Sequence, residues 1–294
     1  MDYGLAGKTI VLTGVTSGIG LALAEALARQ GAHVIGVGRS PERCASVETY
    51  LSELAAGAGS ACCLADLSSL AQVRSLAAEI QTRLAAAGKS SLDALVNNAG
   101  IFSFRLKLTP EGFEKQWAVN HLAPFLLTHE LLPLLKNASQ ARVITVSSNS
   151  HYHTRLRWED VQLRRRYNGL LAYKQTKLAN VLFTMELNRR LGAGSSVKAF
   201  AADPGLVITD IGVKDNPALV RWIWRRLRAS GVSPEVSARG LLFLIGEPSI
   251  QGSAEVYWKH GQSKTPDPYT QDGEAARRLW AISMQMCGIG QIEN

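Results

Sequence analysis

Cysteine is scarce and scattered. The 294-residue chain has four, Cys44, Cys62, Cys63 and Cys287, and none belongs to a CxxC or Cys/His group with metal-ligand spacing. That excludes a disulfide-stapled scaffold and a zinc module, and it leads us to expect a reducing cytoplasm. Long apolar runs are missing as well. No stretch approaches the ~20 consecutive apolar residues of a membrane span. MDYGLAGKTIVLTG enters a strand-like run too early to hold a charged segment and an apolar signal core, so no secretory signal is expected. There is no internal repeat, linker or low-complexity tract, which favours a single domain over 1–294. Acidic residues are outnumbered, 24 against 32 basic ones, for a formal charge of +8. Much of the excess is arginine in two clusters, Arg155 to Arg166 and Arg221 to Arg228. No nucleic-acid module accompanies them, so a solvated basic face is expected in place of a nucleic-acid partner.

What the chain does have is alternation. KTIVLT (8–13), AHVIGVG (32–38), SACCLA (60–65), LDALVN (92–97), ARVITVS (141–147), SVKAFAA (196–202) and SAEVYW (253–258) read as seven strands separated by helical stretches. These runs are apolar throughout instead of alternating, as parallel strands covered on both faces must be, and the spacers are long enough for crossover helices. The expected fold is α/β, a single-domain Rossmann-type, doubly wound and mainly parallel sheet. Ligands of such sheets bind beyond the carboxyl ends of the strands, so the loops there carry the candidate site.

The first strand ends in TGVTSGIG, with Gly14, Gly18 and Gly20, and runs into the amphipathic LALAEALARQG. Glycines at a strand-to-helix turn let the backbone approach a pyrophosphate, whose charge the helix N-terminus favours; a merely structural turn is the alternative. The spacing, G-xxx-G-x-G, differs from the common dinucleotide fingerprint. At the end of the second strand an NAD enzyme usually places a carboxylate on the ribose. Here there is no acidic residue between Gly31 and Pro41, and Arg39 occupies the place. Its guanidinium suits a 2′-phosphate, which favours NADP(H) over NAD(H), unless Arg39 is simply a solvated strand-end cation. Asp66 or Ser68 after strand three reads equally as a helix cap, and Asn97-Asn98-Ala99-Gly100 after strand four equally as an ordinary turn. In LAYKQTKLAN, Tyr173 and Lys177 share a helix face at spacing i, i+4, which is either a catalytic pair or a surface contact.

Taken in order, TGVTSGIG, Asp66-Leu67, NNAG, Asn120 in VNHL, Ser147-Ser148, Tyr173-xxx-Lys177 and Asp203-Pro204-Gly205 with Thr209 resemble the short-chain dehydrogenase/reductase family over nearly the whole chain. RVITVSS, the insert HYHTRLRWEDVQLRRRYNGL, AYKQTKLANVLF and ARRLW look most like its retinol dehydrogenase-like branch, whose members are NADP-preferring reductases of apolar aldehydes and ketones. The resemblance implies that Gly14, Thr16, Ser17, Gly18, Ile19 and Gly20 bind the cofactor with Arg39, Asp66, Leu67, Asn98, Ala99 and Gly100. Asp66 would hold the adenine and Asn98 the cofactor channel. Asn120 is implied as a proton-relay residue, Ser148 as the group on the substrate carbonyl, Tyr173 as acid/base and Lys177 as the nicotinamide-ribose ligand. Pro204, Gly205 and Thr209 would lie at the nicotinamide end. Ser148 is preferred to Ser147 because its 25-residue gap to Tyr173 is the branch register. A homodimer through the helices bearing Asn120 and Tyr173 is implied as well.

The departures from the pattern are small. Thr176 stands where the branch has serine, which keeps a hydroxyl. Pro124 follows Asn120 in NHLAPF, which predicts a kink and a freed carbonyl. Leu206-Val207 follow the Pro-Gly turn without a cysteine, against a protochlorophyllide reductase.

Hydride transfer to a carbonyl needs a proton donor beside the oxygen, and a free tyrosine, with a pKa of about 10, is an acid but a poor base at neutrality. An ammonium ~5 Å away at an effective dielectric of ~20 favours phenolate by about 3 kcal/mol, so Lys177 is expected to lower the Tyr173 pKa by roughly two units. The expected activity is NADP(H)-dependent interconversion of an apolar, retinoid-like carbonyl and its alcohol. A catalytically silent NADP-binding regulator and a peripheral membrane interaction protein are the other classes. The second comes from the stretch 206–233, read as a substrate lid. In it Leu219, Val220, Ile223, Trp224 and Leu227 gather on one helical face with Arg221, Arg225 and Arg228 opposite, so that 218–228 suits either a lid or a membrane surface. His151 and His153 make an HxH pair without a third ligand, read as loop chemistry.

Overall fold

Strands buried on both faces dictate the architecture. In the computed structural model, which describes residues 2–54, 59–207 and 231–290, β1 (Thr9–Thr13) and β5 (Ala141–Val146) are buried at every position. Between them come α1 (Gly18–Arg29), β2 (His33–Gly38), α2 (Pro41–Leu54), β3 (Ser60–Leu64), α3 (Leu70–Ala86) and β4 (Ala94–Asn97). A short α4 (Lys115–Trp117) then runs through a π-helical turn, Ala118–Leu122, into α5 (Ala123–Lys136). After β5 follow α6 (Gly169–Leu191), β6 (Val197–Asp203), α7 (Pro234–Gly246), β7 (Tyr257–Lys259), β8 (Gln262–Ser263) and α8 (Gly273–Met286). The strands lie in the order β3-β2-β1-β4-β5-β6-β7-β8 and pair in parallel as far as β7. The order reverses between β1 and β4, which opens a crevice beyond their carboxyl ends.

All seven expected strands are present, with an eighth beyond them. His260 and Gly261, with φ of 50° and 77°, form a tight reverse turn that brings β8 back antiparallel onto β7. β7 also begins later than the run SAEVYW suggests, because Ser253 and Glu255 are held in turns by Ile250 O and Ser253 Oγ.

Period-two alternation divides the sheet between two cores. Ile10 and Leu12 pack with Leu23 and Leu27 of α1 and Leu241 and Ile245 of α7, whereas Val11 faces the layer of α3, α5, α6 and α8. The middle of α6 is buried nearly all round because this layer covers it twice, under the sheet and under α8. Trp280 of α8 lies 4.9 Å from Phe125 and 5.9 Å from Phe183 between ring centroids, with the Arg190 guanidinium 4.5 Å from its own ring. His121 Nε2 meets Ser283 Oγ at 2.8 Å. The chain's own C-terminal helix thus packs against α5 and α6, the helices through which a homodimer is implied. All four cysteines are free, and among the described residues no helix is long and apolar enough to cross a membrane.

Candidate active site

The loop after β1 turns back on itself at Gly14 (φ 75°) and enters α1 at Gly18 (φ 57°). A Cβ on Gly20 would stand 2.1 Å from Gly14 O and 2.7 Å from Asn98 Nδ2, so only glycine closes this turn. The turn forms one wall of a cavity of about 450 Å³ at the switch point. Gly14, Thr16, Ser17, Gly18, Ile19, Gly20, Arg39, Asp66, Leu67, Asn98, Ala99 and Gly100 all line it, the whole set expected at the adenine and pyrophosphate end. Its backbone cradle, the amide-lined start of α1 and the strand-end cation fit a dinucleotide carrying an extra phosphate.

Each strand end contributes by a different device. Arg39 is exposed at the tip of β2. Asp66 is held in place by the Ser68 amide (2.9 Å) and hydroxyl (2.8 Å). Burial works against its ionisation, but those bonds, with Lys115 and Arg39 nearby, leave its pKa below the ordinary carboxylate value. Neither Asp66 nor Ser68 caps α3; Ser69 does, accepting from the Gln72 amide. Asn98 ties β4 to β1: its Nδ2 donates to Thr13 O (2.8 Å), and Thr13 Oγ1 accepts from the Asn98 and Ala99 amides, both at 3.0 Å. Two lysines that sequence reasoning missed, Lys107 and Lys115, line the same cavity. Local sequence offered no signal for them, since the loop after β4 and the start of α4 reach the adenine end only by folding over it.

Farther along the strand ends lies a denser cluster. Ser147 is buried and donates to the Lys177 carbonyl at 2.7 Å, a bond that joins β5 to α6. Ser148, one residue on, lies beside the Tyr173 phenol, and its hydroxyl donates to Ser150 Oγ at 3.2 Å. Lys177 Nζ lies 5.5 Å from the Tyr173 ring centre and donates to Val146 O at 3.0 Å. Asn120 sits in the π-helical turn, clamped to both the amide and the carbonyl of Ile101 (2.8 and 2.9 Å), and its Nδ2 also donates to Thr176 Oγ1 at 3.2 Å. Pro124 follows, with no N–H to return to the Asn120 carbonyl, so the expected local break in the helix is present as this π turn. Phe102 sets its edge against the Tyr173 ring, centroids 5.9 Å apart, on the approach to the cavity.

One electrostatic expectation is reversed. Burial pushes the Tyr173 phenol up to about 12, the Asp203 carboxylate adds to the rise, and the Ser148 hydroxyl only partly offsets it. Burial also pulls Lys177 down to about 8, while Asp203 pulls it back up. The phenolate's loss of water outweighs the ammonium, and a carboxylate beside that ammonium presents Tyr173 with something closer to a dipole than a lone cation. In this state Tyr173 is a proton donor.

β6 closes the row. Asp203 Oδ1 accepts from the Gly205 amide at 2.9 Å, Gly205 takes φ 78°, and Ser237 donates to Pro204 O at 2.6 Å. Pro204 and Gly205 thus end the strand beyond the adenine cavity and do not line it. Thr209, the helix 218–228 and most of the lid lie outside the described residues; the ends of that segment meet in a parallel bridge between Val207 and Val232. His151 faces Ser148 O through Nδ1 (2.8 Å) and accepts the Asp267 amide at Nε2 (3.1 Å), so it is a neutral structural pivot, and among the described residues no cluster suits a metal.

Comparison with known proteins gives the family and the fold. A family model described as short chain dehydrogenase matches residues 8–219. Retinol dehydrogenase 14 of Mus musculus is 35% identical, over 96% of this chain and 86% of its own length. Retinol dehydrogenase 13 of Homo sapiens is 36% identical, over 96% and 85%. A crystal structure of a protein from Mycobacterium Paratuberculosis superposes with a TM-score of 0.74 at 33% identity, covering 98% of this chain and 97% of that one. An angucycline C-6 ketoreductase with bound NADP has a TM-score of 0.68 at 25% identity, covering 88% and 96%.

Proposed function

From the premise that the chain belongs to the short-chain dehydrogenase/reductase family, we propose that it is an NADP(H)-dependent reductase of bulky apolar aldehydes or ketones. Family membership makes it an oxidoreductase that uses a nicotinamide cofactor; the choice of cofactor, substrate and direction is our reading. The observation that carries it is the buried cluster in which Lys177 Nζ lies 5.5 Å from the Tyr173 ring centre with Ser148 beside the phenol, joined to the glycine-walled crevice through Phe102.

Arg39 would take the 2′-phosphate, with Lys107 and Lys115 adding positive potential across the cavity. Asp66 and Leu67 would hold the adenine, the α1 N-terminus the pyrophosphate, and Asn98, Ala99 and Gly100 the channel between. Tyr173 and Lys177 would reach the nicotinamide half, with Pro204, Gly205 and Thr209 beyond them. When bound, the cofactor supplies the hydride. The protein positions the carbonyl and manages the proton. Ser148 would hydrogen-bond the substrate oxygen, and Tyr173, protonated throughout the physiological range, would donate to it as negative charge develops. Lys177 would fix the ribose and, with Asn120, return a proton to Tyr173 through water. Burial keeps the phenol protonated at neutral pH, the form that reduction needs at the start of a turnover.

The apolar character of the substrate rests on Phe102 against Tyr173, on Leu170 and Leu206, 55% and 44% exposed, and on the kinship with proteins named retinol dehydrogenases. Four free cysteines suit a reducing cytoplasm. The test is NADPH oxidation against a graded carbonyl panel, from small aldehydes to retinal and steroid ketones. Turnover should rise with apolar bulk. Cofactor binding without turnover of any member would sink the proposal.

A further inference from the structure

Asp203 is buried where a carboxylate is expensive. It ends β6 with its side chain 1% exposed, and its Oδ2 has no hydrogen-bond partner. Two features of the fold bring it to Lys177. On β6, Ala201 and Asp203 point to the same side of the sheet, and Ala201 packs with Val181 of α6 and Tyr257 of β7. One turn back along α6 from Val181 is Lys177, so the step of two on the strand and of four on the helix sets the carboxylate opposite the ammonium. β5 closes the same corner: Ser147 N donates to Ala202 O at 2.7 Å, and Val146 O holds Lys177 Nζ at 3.0 Å.

We propose that Asp203 is the counter-charge that keeps Lys177 an ammonium inside the site, and so acts as a positioning residue for the Tyr173–Lys177 pair. The proposal adds to the reading of the site as a carbonyl reductase and rests on it for its catalytic consequence. Other charged and titratable groups face this corner. On α6 there is Tyr173. On β7 and its turn there are Tyr257, whose phenol the Asp203 charge helps to raise, Lys259 and His260. On the turn after β5 there are His151 and Tyr152, and beyond them Asp267. His151 is neutral by its two bonds. Lys259 is the rival claimant, with Nζ 3.7 Å from Asp203 Oδ2, but its side chain is 35% exposed and water already solvates it. Lys177 has no such recourse: burial lowers its proton affinity, and Asp203 is the group that raises it. Without the carboxylate, a buried lysine falls toward the values of about 5 to 6 known for such groups and is neutral at physiological pH.

The test reads Lys177 itself, without substrate or cofactor. In protein carrying 13C-labelled lysine, the Lys177 Cε resonance, assigned by its loss in Lys177→Met, is titrated by NMR over roughly pH 6 to 10. The parent should titrate near 8. Asp203→Asn, which keeps an acceptor for the Gly205 amide, should lower that midpoint by at least about one unit. Asp203→Ser should do the same, and Lys259→Met should leave the midpoint at or above the parent value. In active enzyme, the basic limb of the reduction profile should move down with the Lys177 midpoint. A midpoint unchanged within about 0.3 unit in the uncharged variants overturns the proposal. So does a parent midpoint below about 6, which requires no Asp203 variant to fold. If the parent reduces no carbonyl, the proposed reaction fails while the titration still decides the counter-charge.

Discussion

From β1 to β3 the crevice is built of glycine, backbone amides and exposed strand-end side chains; from β4 to β7 it is built of buried side chains that hold one another. The first half keeps a cavity of about 450 Å³ ready, its wall fixed by a 2.1 Å conflict that any Cβ at Gly20 would create. In the second half the described side chains are tied to one another. Asn120 is bonded to Ile101 and Thr176, Ser147 to Lys177, Lys177 to Val146, and Ser148 faces Tyr173. A binding surface for a polyanion needs exposed donors and positive potential. A proton-transfer site needs groups withdrawn from water, so that each one's charge is governed by its neighbours.

Single substitutions should separate the two halves. Tyr173→Phe removes the proposed proton donor and should cut turnover by about 10²–10⁴-fold while NADPH affinity stays within about twofold; stopped-flow turnover with fluorescence titration checks it, and near-parental activity would reassign the acid. Gly20→Ala should do the opposite. Overpacking a rigid backbone turn costs about 1–3 kcal/mol, so NADPH binding should weaken by roughly 10–100-fold, measured by calorimetry, with the Ser148–Tyr173 cluster unaltered. Arg39→Ala should weaken NADPH by about 10–100-fold and leave NADH within about threefold, the worth of one charge-assisted phosphate contact. Equal losses for both cofactors would show that Arg39 does not read the 2′-phosphate. Smallest is Thr176→Val, which takes an acceptor from Asn120 and should lower kcat by about 2–10-fold without changing NADPH affinity, whereas Thr176→Ser should behave as the parent.

The same division governs how much of the molecule could be read in advance. TGVTSGIG states its own geometry, because three glycines between an apolar strand and an amphipathic helix have few other uses, and Arg39 follows at a set distance. Lys107 and Lys115 carried no local mark, and they joined the cavity only when the chain after β4 folded across it. At the other end the identities of Tyr173, Lys177 and Ser148 were legible from their order and spacing, but their electrostatics were not. A pairwise estimate for an ammonium near a phenol omitted burial and a carboxylate 30 residues downstream of Tyr173, and so had the wrong sign. Thr176, to the eye a conservative departure, has its hydroxyl within the Asn120 network. Nor did the sequence mark the docking of the C-terminal helix on α5 and α6, which brings Trp280 to Phe125 and Phe183, three residues far apart in the chain.

The sequence by itself determined the alternation of strands and helices, the parallel sheet and the glycine turn, because apolar periodicity and backbone freedom are local properties. Tertiary structure alone decided which groups set one another's charge and which face of α6 is covered. Those depend on burial and on distances across the sheet, and the cost of taking a charge out of water is set by everything packed around it.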